Sequence, residues 1–520
     1  MLFNSYIFIF AFLPIALVAF FAAGRFSIRL AGAVLVLSSF AFYSWWDPRF
    51  LPVLLGSITF NYLMSEGIAR TAKRPSLQYW LLVAAIAGNI GALAYFKYLG
   101  AIVEFFRDNG LFEGGIGKIA LPLGISFFTF TQIGYLVDVK QGAAAERGFL
   151  KFLLFVTFFP HLIAGPILHH REIMPQFARP ETYRASSRNI VIGLTIFVIG
   201  MVKKCLLADP TSVVVAPGFA DAAQLPVLSA WNVALSYSLQ LYFDFSGYSD
   251  MAIGIARMFN VRFPLNFNSP YKSASVIDYW QRWHMSLSRY LNLLLYNPIS
   301  LAVMRRRAEA RLGTNKAAYK TIGGFSGMVL LPTMATMFLA GIWHGAGLQF
   351  IVFGLLHGLY LTINHAWRIF RPKQQGQAAE DSAPVHVSKV LLTYGAVLIG
   401  AIFFRAPSCA SAMHLLAGMI GLHGGGANAE ALLHLAPDAT IGGGIRQLAW
   451  IAALYVIVWG APNTQQIMCD VEPALGKFTP PRQLWLKWRL NLPWAIAVGV
   501  GAVAAMMSIG NSSEFLYFQF

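Results

Sequence analysis

Two histidines stand in short motifs where an imidazole could transfer a proton. His344 follows an apolar run within Gly341–Gly345 (GIWHG), and His284 lies within Arg282–Ser286 (RWHMS). Imidazole titrates near neutrality and is the side chain most often used as a general base. The glycines beside His344 permit close backbone approach and a break in the helix. The sequence therefore offers two candidate catalytic residues.

Each of these histidines also has a structural interpretation. His344 could be satisfied by a carbonyl of a neighbouring helix, and His284 could be an interfacial histidine beside the aromatic anchor Trp283. Histidines elsewhere near apolar runs are interpreted as interfacial, loop, packing or water-facing residues: His161, His169, His170, His357 and His365.

Ionisable residues also cluster in the apolar stretch 240–270. Asp244 and Asp250 lie there in the same run as Arg257 and Arg262. Ionisable groups inside a membrane are costly and suggest function by default, although buried charges usually persist by pairing. We favour a carboxylate–guanidinium network that fixes helix packing, so that the aspartates serve assembly. The alternative is a proton or solute pathway.

The composition places all of these residues in a membrane protein. Of the 520 residues, 57% are hydrophobic and 12% are charged, and the mean hydropathy is +0.58. Soluble domains carry about 25% charged residues, and disordered chains are poor in aromatic residues. The net charge of +17 is attributed to cytoplasmic loops rather than to nucleic-acid binding. The lipid bilayer is the expected partner, and nucleic acid is not.

The apolar runs predict an all-α polytopic protein with about twelve transmembrane or re-entrant helices. Several runs are shorter than the roughly 20 residues that a membrane-spanning helix needs. The candidate spans are Tyr6–Phe21, Leu30–Trp46, Phe50–Met64, Tyr79–Tyr98, Ile119–Val137, Phe149–Ile167, Ile190–Ala208, Val227–Phe245, Met328–Trp343, Ile351–Phe370, Val387–Phe404, Leu448–Trp459 and Leu492–Ile509.

Basic clusters set the expected orientation, because Lys and Arg collect in cytoplasmic loops. They predict cytoplasmic loops at 305–320, 371–386 and 463–489. The loop 423–445 and the tail 511–520 are then expected on the opposite side. Since no polar stretch is long enough for a soluble domain, residues 1–520 are predicted to form a single membrane-embedded domain.

Several common catalytic motifs are missing from the sequence. There is no GxSxG elbow, no phosphate-binding GxxxxGK[ST] loop, no HExxH pair and no dinucleotide-binding glycine motif. Cys205, Cys409 and Cys469 are far apart, so neither a metal site nor a disulfide framework is indicated. These findings favour a membrane-embedded site built around histidine.

The two histidine motifs resemble those of the membrane-bound O-acyltransferase (MBOAT) family. Leu162–Phe177 (LIAGPILHHREIMPQF) and Leu241–Phe259 (LYFDFSGYSDMAIGIARMF) share this resemblance, which runs from Met1 to about Phe404 and resumes at the C-terminus. It is closer to the bacterial branch typified by the alginate O-acetyltransferase membrane subunit. The resemblance implies an MBOAT-type bundle with a central conduit in the bacterial inner membrane, and hence a periplasmic loop at 423–445.

The same resemblance implies an activity. His344 matches the active-site histidine of the family, and His284 matches the second motif histidine. The implied enzyme moves acetyl from cytoplasmic acetyl-CoA across the membrane for O-acetylation of an exported polysaccharide such as alginate, with peptidoglycan as an alternative. No permanently bound cofactor is implied, and a periplasmic serine-esterase-like acetyltransferase is the implied protein partner. The competing class of function is a proton-coupled transporter.

The C-terminal segment supplies a third candidate. Four of the last six residues are aromatic, and Tyr517 is the hydroxyl-bearing one. Such a tail is typical of an interfacial aromatic anchor. Alternatively, the Tyr517 hydroxyl could accept acetyl with His344 as base and pass it to a periplasmic partner, which would divide one transfer into two easier steps.

Overall fold

The computed structural model describes residues 1–111, 119–143, 148–371, 382–423, 440–476, 486–511 and 516. Within these ranges the chain is helical throughout, apart from turns, connecting segments and one isolated bridge between Pro264 and Leu475. The predicted all-α fold class is confirmed.

The α-helices are numbered here in chain order. Those of the N-terminal half are α1 (Leu13–Gly24), α2 (Ile28–Ser44), α3 (Leu51–Arg70), α4 (Pro75–Lys97), α5 (Leu99–Asp108), α6 (Ile125–Lys140), α7 (Phe149–Thr157), α8 (Phe159–Leu162), α9 (His170–Phe177), α10 (Ser187–Met201) and α11 (Asp209–Ala220). Those of the C-terminal half are α12 (Val227–Met258), α13 (Val276–Trp280), α14 (Met285–Leu291), α15 (Asn297–Glu309), α16 (Ile322–Phe325), α17 (Leu331–His344), α18 (Leu348–Phe370), α19 (Ala383–Arg405), α20 (Cys409–Met419), α21 (Ile441–Gly460), α22 (Thr464–Ile467) and α23 (Leu492–Met507).

Six helices among the described residues are long and apolar enough to cross a membrane. They are Pro75–Lys97, Ser187–Ala220, Ile322–His344, Leu348–Phe370, Ala383–Arg405 and Ile441–Gly460. The second joins α10 and α11 through the π-helical segment Val202–Ala208, and the third joins α16 and α17 through the π-helical segment Ser326–Leu330. Shorter apolar helices are Phe8–Gly24, Ile28–Ser44, Cys409–Met419 and Leu492–Met507. The total of about twelve spans stays a prediction.

The predicted span Phe149–Ile167 is not one helix. It consists of α7 and the single turn α8, separated at Phe158, whose φ of −49° and ψ of 106° leave the helical region. Pro160 lacks the N–H that a continuous helix would use, and its ring would clash with a carbonyl one turn earlier. The apolar run therefore continues through a break that hydrophobicity alone does not reveal.

By contacts, the described chain divides into two compact units. The first comprises Met1–Leu206, Phe245–Leu265 and Thr464–Gln519, and the second comprises Leu207–Asp244 and Asn266–Asn463. The long helix α12 thus begins in the second unit and ends in the first. Both motif histidines belong to the second unit.

Within the first unit, α10 packs backbone to backbone on the C-terminal half of α12. A Cβ atom built at Gly193 would lie 2.4 Å from the Gly254 carbonyl oxygen, and one at Gly200 would lie 2.5 Å from the Gly247 carbonyl oxygen. Because any larger side chain would separate the helices, these glycines fix how closely they approach. The residues that follow Gly200 are thereby held beside the middle of α12.

Within the second unit, buried hydroxyl groups join α12, α19 and α21. The Ser238 hydroxyl lies 2.6 Å from that of Tyr394 and 3.0 Å from that of Tyr455, and the two tyrosine hydroxyls are 2.5 Å apart. Tyr271 donates its hydroxyl hydrogen to the Ser238 carbonyl at 2.7 Å, and its ring stacks on Trp283 at 6.3 Å. This network holds in place the segment that leads to His284.

Candidate active site

His344 is the last residue of α17, where this helix packs closely on α18. A Cβ atom at Gly341 would lie 2.4 Å from the Phe350 carbonyl oxygen, and one at Gly354 would lie 2.3 Å from a carbonyl oxygen of α17. A Cβ atom at Gly345 would lie 2.1 Å from the Phe350 ring. The glycines of the motif therefore let the two helices meet where the histidine is presented.

Aromatic rings surround the His344 imidazole, which is only 6% exposed. The ring centroids of Trp343, Phe353 and Phe404 lie 4.5, 5.8 and 4.9 Å from that of His344. Phe353 comes from α18 and Phe404 from α19, so three helices contribute to the surroundings of one imidazole. Such packing holds the ring in a defined orientation and limits access of water.

His284 precedes α14 in a backbone conformation that is uncommon for histidine. Its φ of 42° and ψ of 54° lie in the left-handed region, and the residue is 1% exposed. Residues held in this region carry strain and persist only where the surrounding structure imposes it. Here the Asn266 carbonyl accepts the Met285 N–H at 2.9 Å, and the Asn268 N–H donates to the Arg282 carbonyl at 2.9 Å.

The Asn266 side chain determines which His284 nitrogen carries the proton. Asn266 Oδ1 accepts the Ser286 backbone N–H at 3.3 Å and the Ser286 hydroxyl at 2.9 Å. A backbone N–H can only donate, so the amide atom that faces it is the oxygen. The same oxygen lies 2.9 Å from His284 Nδ1, which must therefore be protonated. In the neutral ring the lone pair is then on Nε2.

The pKa of His284 indicates how this lone pair can act. Burial lowers the pKa of His284 to about 3, so the ring is neutral at physiological pH. A group with so low a pKa is a weak base and holds a transferred proton poorly. The geometry therefore suits Nε2 to accept a hydrogen bond that orients a reacting hydroxyl.

Replacement of Asn266 by Asp should make activity sensitive to acid. The carboxylate keeps the acceptor oxygen and places a negative charge beside His284, which favours the imidazolium and raises its pKa. Nε2 can accept a hydrogen bond only above that pKa, which burial holds at about 3 in the natural protein. We expect the ratio of activity at pH 5.5 to that at pH 7.5 to fall in Asn266→Asp, measured as release of free coenzyme A from acetyl-CoA.

Asn268→Asp provides the matched control for this prediction. It adds the same charge two residues away, where the native side chain accepts a hydrogen bond from Asn463 Nδ2 at 3.0 Å. Its pH profile should resemble that of the natural protein. An Asn266→Asp profile identical to both would show that Asn266 does not act through the protonation state of His284.

His357 connects the two motif segments and was not predicted to do so. Its Nδ1 accepts the Trp280 indole N–H at 3.3 Å, and its ring lies 4.7 Å from that of Phe353. A Cβ atom at Gly400 of α19 would lie 2.5 Å from His357 Nε2. With 1% of the residue exposed, the packing interpretation of His357 is confirmed and the water-facing one is wrong.

A continuous set of ring contacts joins His344 to the His284 motif within the second unit. Trp283 stacks on Tyr279 at 5.8 Å, and Tyr279 stacks on His357 at 6.3 Å. His357 then contacts Phe353, which contacts His344. The structure therefore brings both sequence-predicted motifs to one aromatic cluster.

A cavity adjoins this cluster between α13, α14, α17 and α18. Its volume is about 260 Å³, and Trp280, which bonds to His357, forms part of its wall. Most of the lining surface is apolar, and polar groups come from Gln281, Ser288, Asn292, Tyr296, Thr333, Thr336 and His365. Cavities of this composition are typical of small-molecule sites, in which a few polar groups set the orientation of the ligand.

The predicted pairing of Asp250 with arginine is wrong. Its Oδ2 is 2.6 Å from Lys203 Nζ and accepts the Thr464 hydroxyl at 2.6 Å, all within the first unit. Arg262 pairs instead with Glu472 at 2.5 Å. The close approach of α10 and α12 explains the difference, because it brings Lys203 to α12 just after Gly200. Asp244 is buried in the same helix.

Two histidines expected at an interface or in a loop are buried instead. His161 Nε2 donates to the Phe155 carbonyl at 2.9 Å, and the His170 ring lies 4.9 Å from that of Tyr135. The segment after α8 folds back on α6 and α7, which removes both imidazoles from water. His169 is partly exposed and lies 3.2 Å from Asp138.

Tyr517 lies outside the described residues, so its predicted role is carried forward on sequence alone. The same holds for most of the loop 423–445 and of the segment 371–386.

Two histidine motifs are thus joined through one buried aromatic cluster beside a cavity, among helices apolar enough to cross a membrane. Residues 137–314 match the family model described as MBOAT, membrane-bound O-acyltransferase family. The whole chain is 38% identical to the peptidoglycan O-acetyltransferase of Helicobacter pylori, of which 98% is covered. The chain therefore belongs to the membrane-bound O-acyltransferase family and is an acyltransferase.

Other relatives share the family and differ in their named acceptors. The probable alginate O-acetylase AlgI of Pseudomonas aeruginosa is 36% identical over 78% of this chain and 72% of its own length. The teichoic acid D-alanyltransferase of Streptococcus thermophilus is 27% identical over 47% of this chain and 57% of its own length. The family resemblance predicted from the histidine motifs is confirmed, and an acyltransferase rather than a transporter is indicated.

Proposed function

We propose that this protein is a membrane O-acetyltransferase that provides acetyl groups for the O-acetylation of an exported cell-surface polysaccharide. The observation that carries the proposal is the meeting of the His284 and His344 motifs in one buried aromatic cluster beside a cavity. The names of the relatives support transfer of acyl groups to cell-surface polymers. Peptidoglycan is the acceptor favoured by the relative that matches over the full length of this chain.

Acetyl-CoA from the cytoplasm is the proposed donor. A thioester is already activated, so the reaction needs neither nucleotide hydrolysis nor a permanently bound cofactor. The cavity between α13, α14, α17 and α18 is the proposed place for the thioester arm, since it adjoins Trp280 and His357. The basic loop 305–320 supports a cytoplasmic position for the N-terminal end of α17.

His344 is the proposed general base. It takes the proton of an acceptor hydroxyl as the oxygen attacks the thioester carbonyl, and the proton then passes to the departing coenzyme A thiolate. General-base assistance of this kind contributes about 10²–10⁴-fold to the rate. His284 Nε2 is proposed to orient the hydroxyl, and Trp343 and the backbone N–H groups near Gly345 are candidate donors to the oxyanion.

Release of free coenzyme A tests the donor. Purified protein in lipid vesicles should release it from acetyl-CoA when a polysaccharide acceptor and the periplasmic partner are present. The physical reason is that transfer must break the carbon–sulfur bond, whereas transport need not. Proton-coupled uptake of a solute without any use of acetyl-CoA would contradict the proposal.

The acceptor is tested by base-labile acetate on purified polymers from cells that contain or lack the protein. The acetate content of peptidoglycan should be lower in the cells that lack the protein. A fall confined to an exopolysaccharide would favour the second candidate, an alginate-type acceptor. That candidate is supported by alginate O-acetylase relatives that are 36–38% identical over 70–81% of this chain.

The location and partner follow from the same proposal. An acetyl group that starts on a cytoplasmic thioester and ends on an exported polymer must cross the inner membrane, which is the proposed location. Residues 1–520 are then one membrane-embedded acyltransferase domain with a periplasmic tail at 511–520. A periplasmic serine-esterase-like acetyltransferase is the proposed partner for the final transfer.

Tyr517 is proposed to accept acetyl from acetyl-CoA, with His344 as base, and to pass it to that partner. Its hydroxyl would accept acetyl in a first transfer and release it in a second, which divides one step into two. Tyr517→Phe keeps the aromatic anchor and removes only the hydroxyl, so polysaccharide acetylation should be lost at an unchanged protein level. Full acetylation by Tyr517→Phe would leave the tail as an anchor, and Phe518→Leu serves as the control for aromatic packing.

A further inference from the structure

The first unit contains a buried guanidinium that the acyl-transfer site does not use. Arg257 lies in the last turn of α12 and is 7% exposed. Its Nε is buried, and none of the residues that the structure describes accepts a hydrogen bond from it. Burying a charge without a partner is costly, and natural proteins rarely leave one in this state. The position therefore points to a partner that the described residues do not provide.

The charges around Arg257 do not compensate it. The positive charges of Arg262 and Arg188 repel the Arg257 guanidinium, and the negative charge of Glu472 attracts it. Arg262 already binds the Glu472 carboxylate at 2.5 Å. Among the described residues, three guanidinium groups thus lie near one carboxylate, which leaves an excess of positive charge at this place.

Hydrogen bonds hold the turn that carries these arginines. Gln176 Nε2 donates to the Arg262 carbonyl at 3.0 Å, and the Arg262 N–H donates to Gln176 Oε1 at 2.8 Å. Asn260 is left-handed, with a φ of 61°, and its Nδ2 donates to the Arg184 carbonyl at 2.7 Å. The turn between α12 and the next segment is therefore built into the fold.

A further bond ties the turn to the start of α10. Asn189 Nδ2 donates to Asn260 Oδ1 at 2.7 Å. Arg188 is the sequence neighbour of Asn189, and its positive charge acts on Arg257. The three arginines come from separate stretches of sequence, and hydrogen bonds connect the segments that carry them.

We propose that Arg257, Arg262 and Arg188 form a binding site for a phosphate group. A guanidinium fork matches two phosphate oxygens, and several of them together suit a group that carries up to two negative charges. The phosphate would come either from an anionic phospholipid headgroup or from a soluble ligand such as coenzyme A. This site adds an anion requirement to the acetyltransferase and does not depend on the roles of the histidines.

The test compares the melting temperatures of the natural protein and Arg257→Gln in nanodiscs. Three conditions are used: phosphatidylcholine alone, phosphatidylcholine with phosphatidylglycerol, and phosphatidylcholine with added coenzyme A. In phosphatidylcholine alone Arg257→Gln should melt at the same or a higher temperature, because it removes an uncompensated buried charge. With the correct phosphate source, the melting temperature of the natural protein should exceed that of the variant, because only the natural protein gains the bound anion.

The two phosphate sources give different outcomes. A rise in the melting temperature of the natural protein alone with phosphatidylglycerol identifies a lipid headgroup. With coenzyme A, which the proposed thioester cavity binds in both proteins, a larger rise for the natural protein than for the variant identifies a soluble phosphate. The variant should bind that source about tenfold or more weakly, as expected for loss of a charged hydrogen bond. Equal shifts of the melting temperature in both proteins, or no shift in either, would contradict the proposed phosphate site.

Two further variants guard against trivial results. Arg49→Gln removes an exposed arginine of the same unit that pairs with Asp47 at 2.7 Å, and it should respond to phosphate as the natural protein does. If Arg257→Gln does not fold, Arg188→Gln takes its place, because Arg188 is exposed and its loss disturbs no packing. A full phosphate response in Arg188→Gln would then count against the site.

Discussion

Replacement of His344 by Ala is expected to lower acetyl transfer by about 10²–10⁴-fold, the contribution of a positioned general base. The histidine ends α17 and is held by Trp343, Phe353 and Phe404, so the ring is placed by its surroundings and not by its own helix alone. The helix pair should survive, because the glycine contacts between α17 and α18 do not involve the imidazole. Coenzyme A release and polysaccharide acetate are measured at equal protein level.

His344→Gln and His386→Ala complete this experiment. The glutamine fills much of the same space without a basic nitrogen, so it should be as inactive as the alanine variant and better folded. His386 is an exposed histidine in the first turns of α19, and its loss should leave activity unchanged. Activity near the natural level in either His344 variant would remove His344 from the catalytic role.

Replacement of Asp250 by Ala is expected to cost about 3–5 kcal/mol of stability, the usual penalty for breaking a buried ion pair. It leaves the Lys203 ammonium without its carboxylate and takes the acceptor from the Thr464 hydroxyl. Turnover per folded molecule should change little. The melting temperature, the yield of folded protein and the specific activity are measured together.

The partner variants make this prediction specific. Lys203→Met combined with Asp250→Leu should recover much of the lost stability, because apolar side chains of similar size often replace a buried pair without loss. Glu66→Ala breaks the more exposed pair with Arg70, 3.6 Å apart, and should cost at most about 1 kcal/mol. A stable but inactive Asp250→Ala protein would instead assign Asp250 a direct role in transfer.

Helix positions could be predicted from the sequence because apolar runs reflect burial in lipid and protein directly. The run Leu30–Trp46 corresponds to α2, and Tyr79–Tyr98 corresponds to α4, each within a few residues. The break at Phe158 and the continuation of α12 to Met258 could not be predicted in this way. Both depend on which polar groups find partners after folding, and hydrophobicity does not report that.

In the candidate site, too, some features could be predicted from the sequence and others could not. His344 and His284 could be identified because their residue types are rare in apolar surroundings. The roles of Asn266, His357 and Lys203 could not be identified, because their partners lie 18, 77 and 47 residues away in sequence. The signals present were an asparagine between Leu265 and Phe267 and a lysine pair within an apolar run. Neither signal predicts which residue the asparagine or the lysine contacts in the folded protein.

The backbone of His284 has a consequence for how this protein can be engineered. A left-handed conformation is adopted without penalty by glycine and costs other residues about 1 kcal/mol or more. With a φ of 42°, position 284 favours glycine for stability and histidine for chemistry. Selection for heat resistance alone would therefore act against the side chain that is proposed to orient the reacting hydroxyl, and thermostable variants should be sought with residue 284 held fixed.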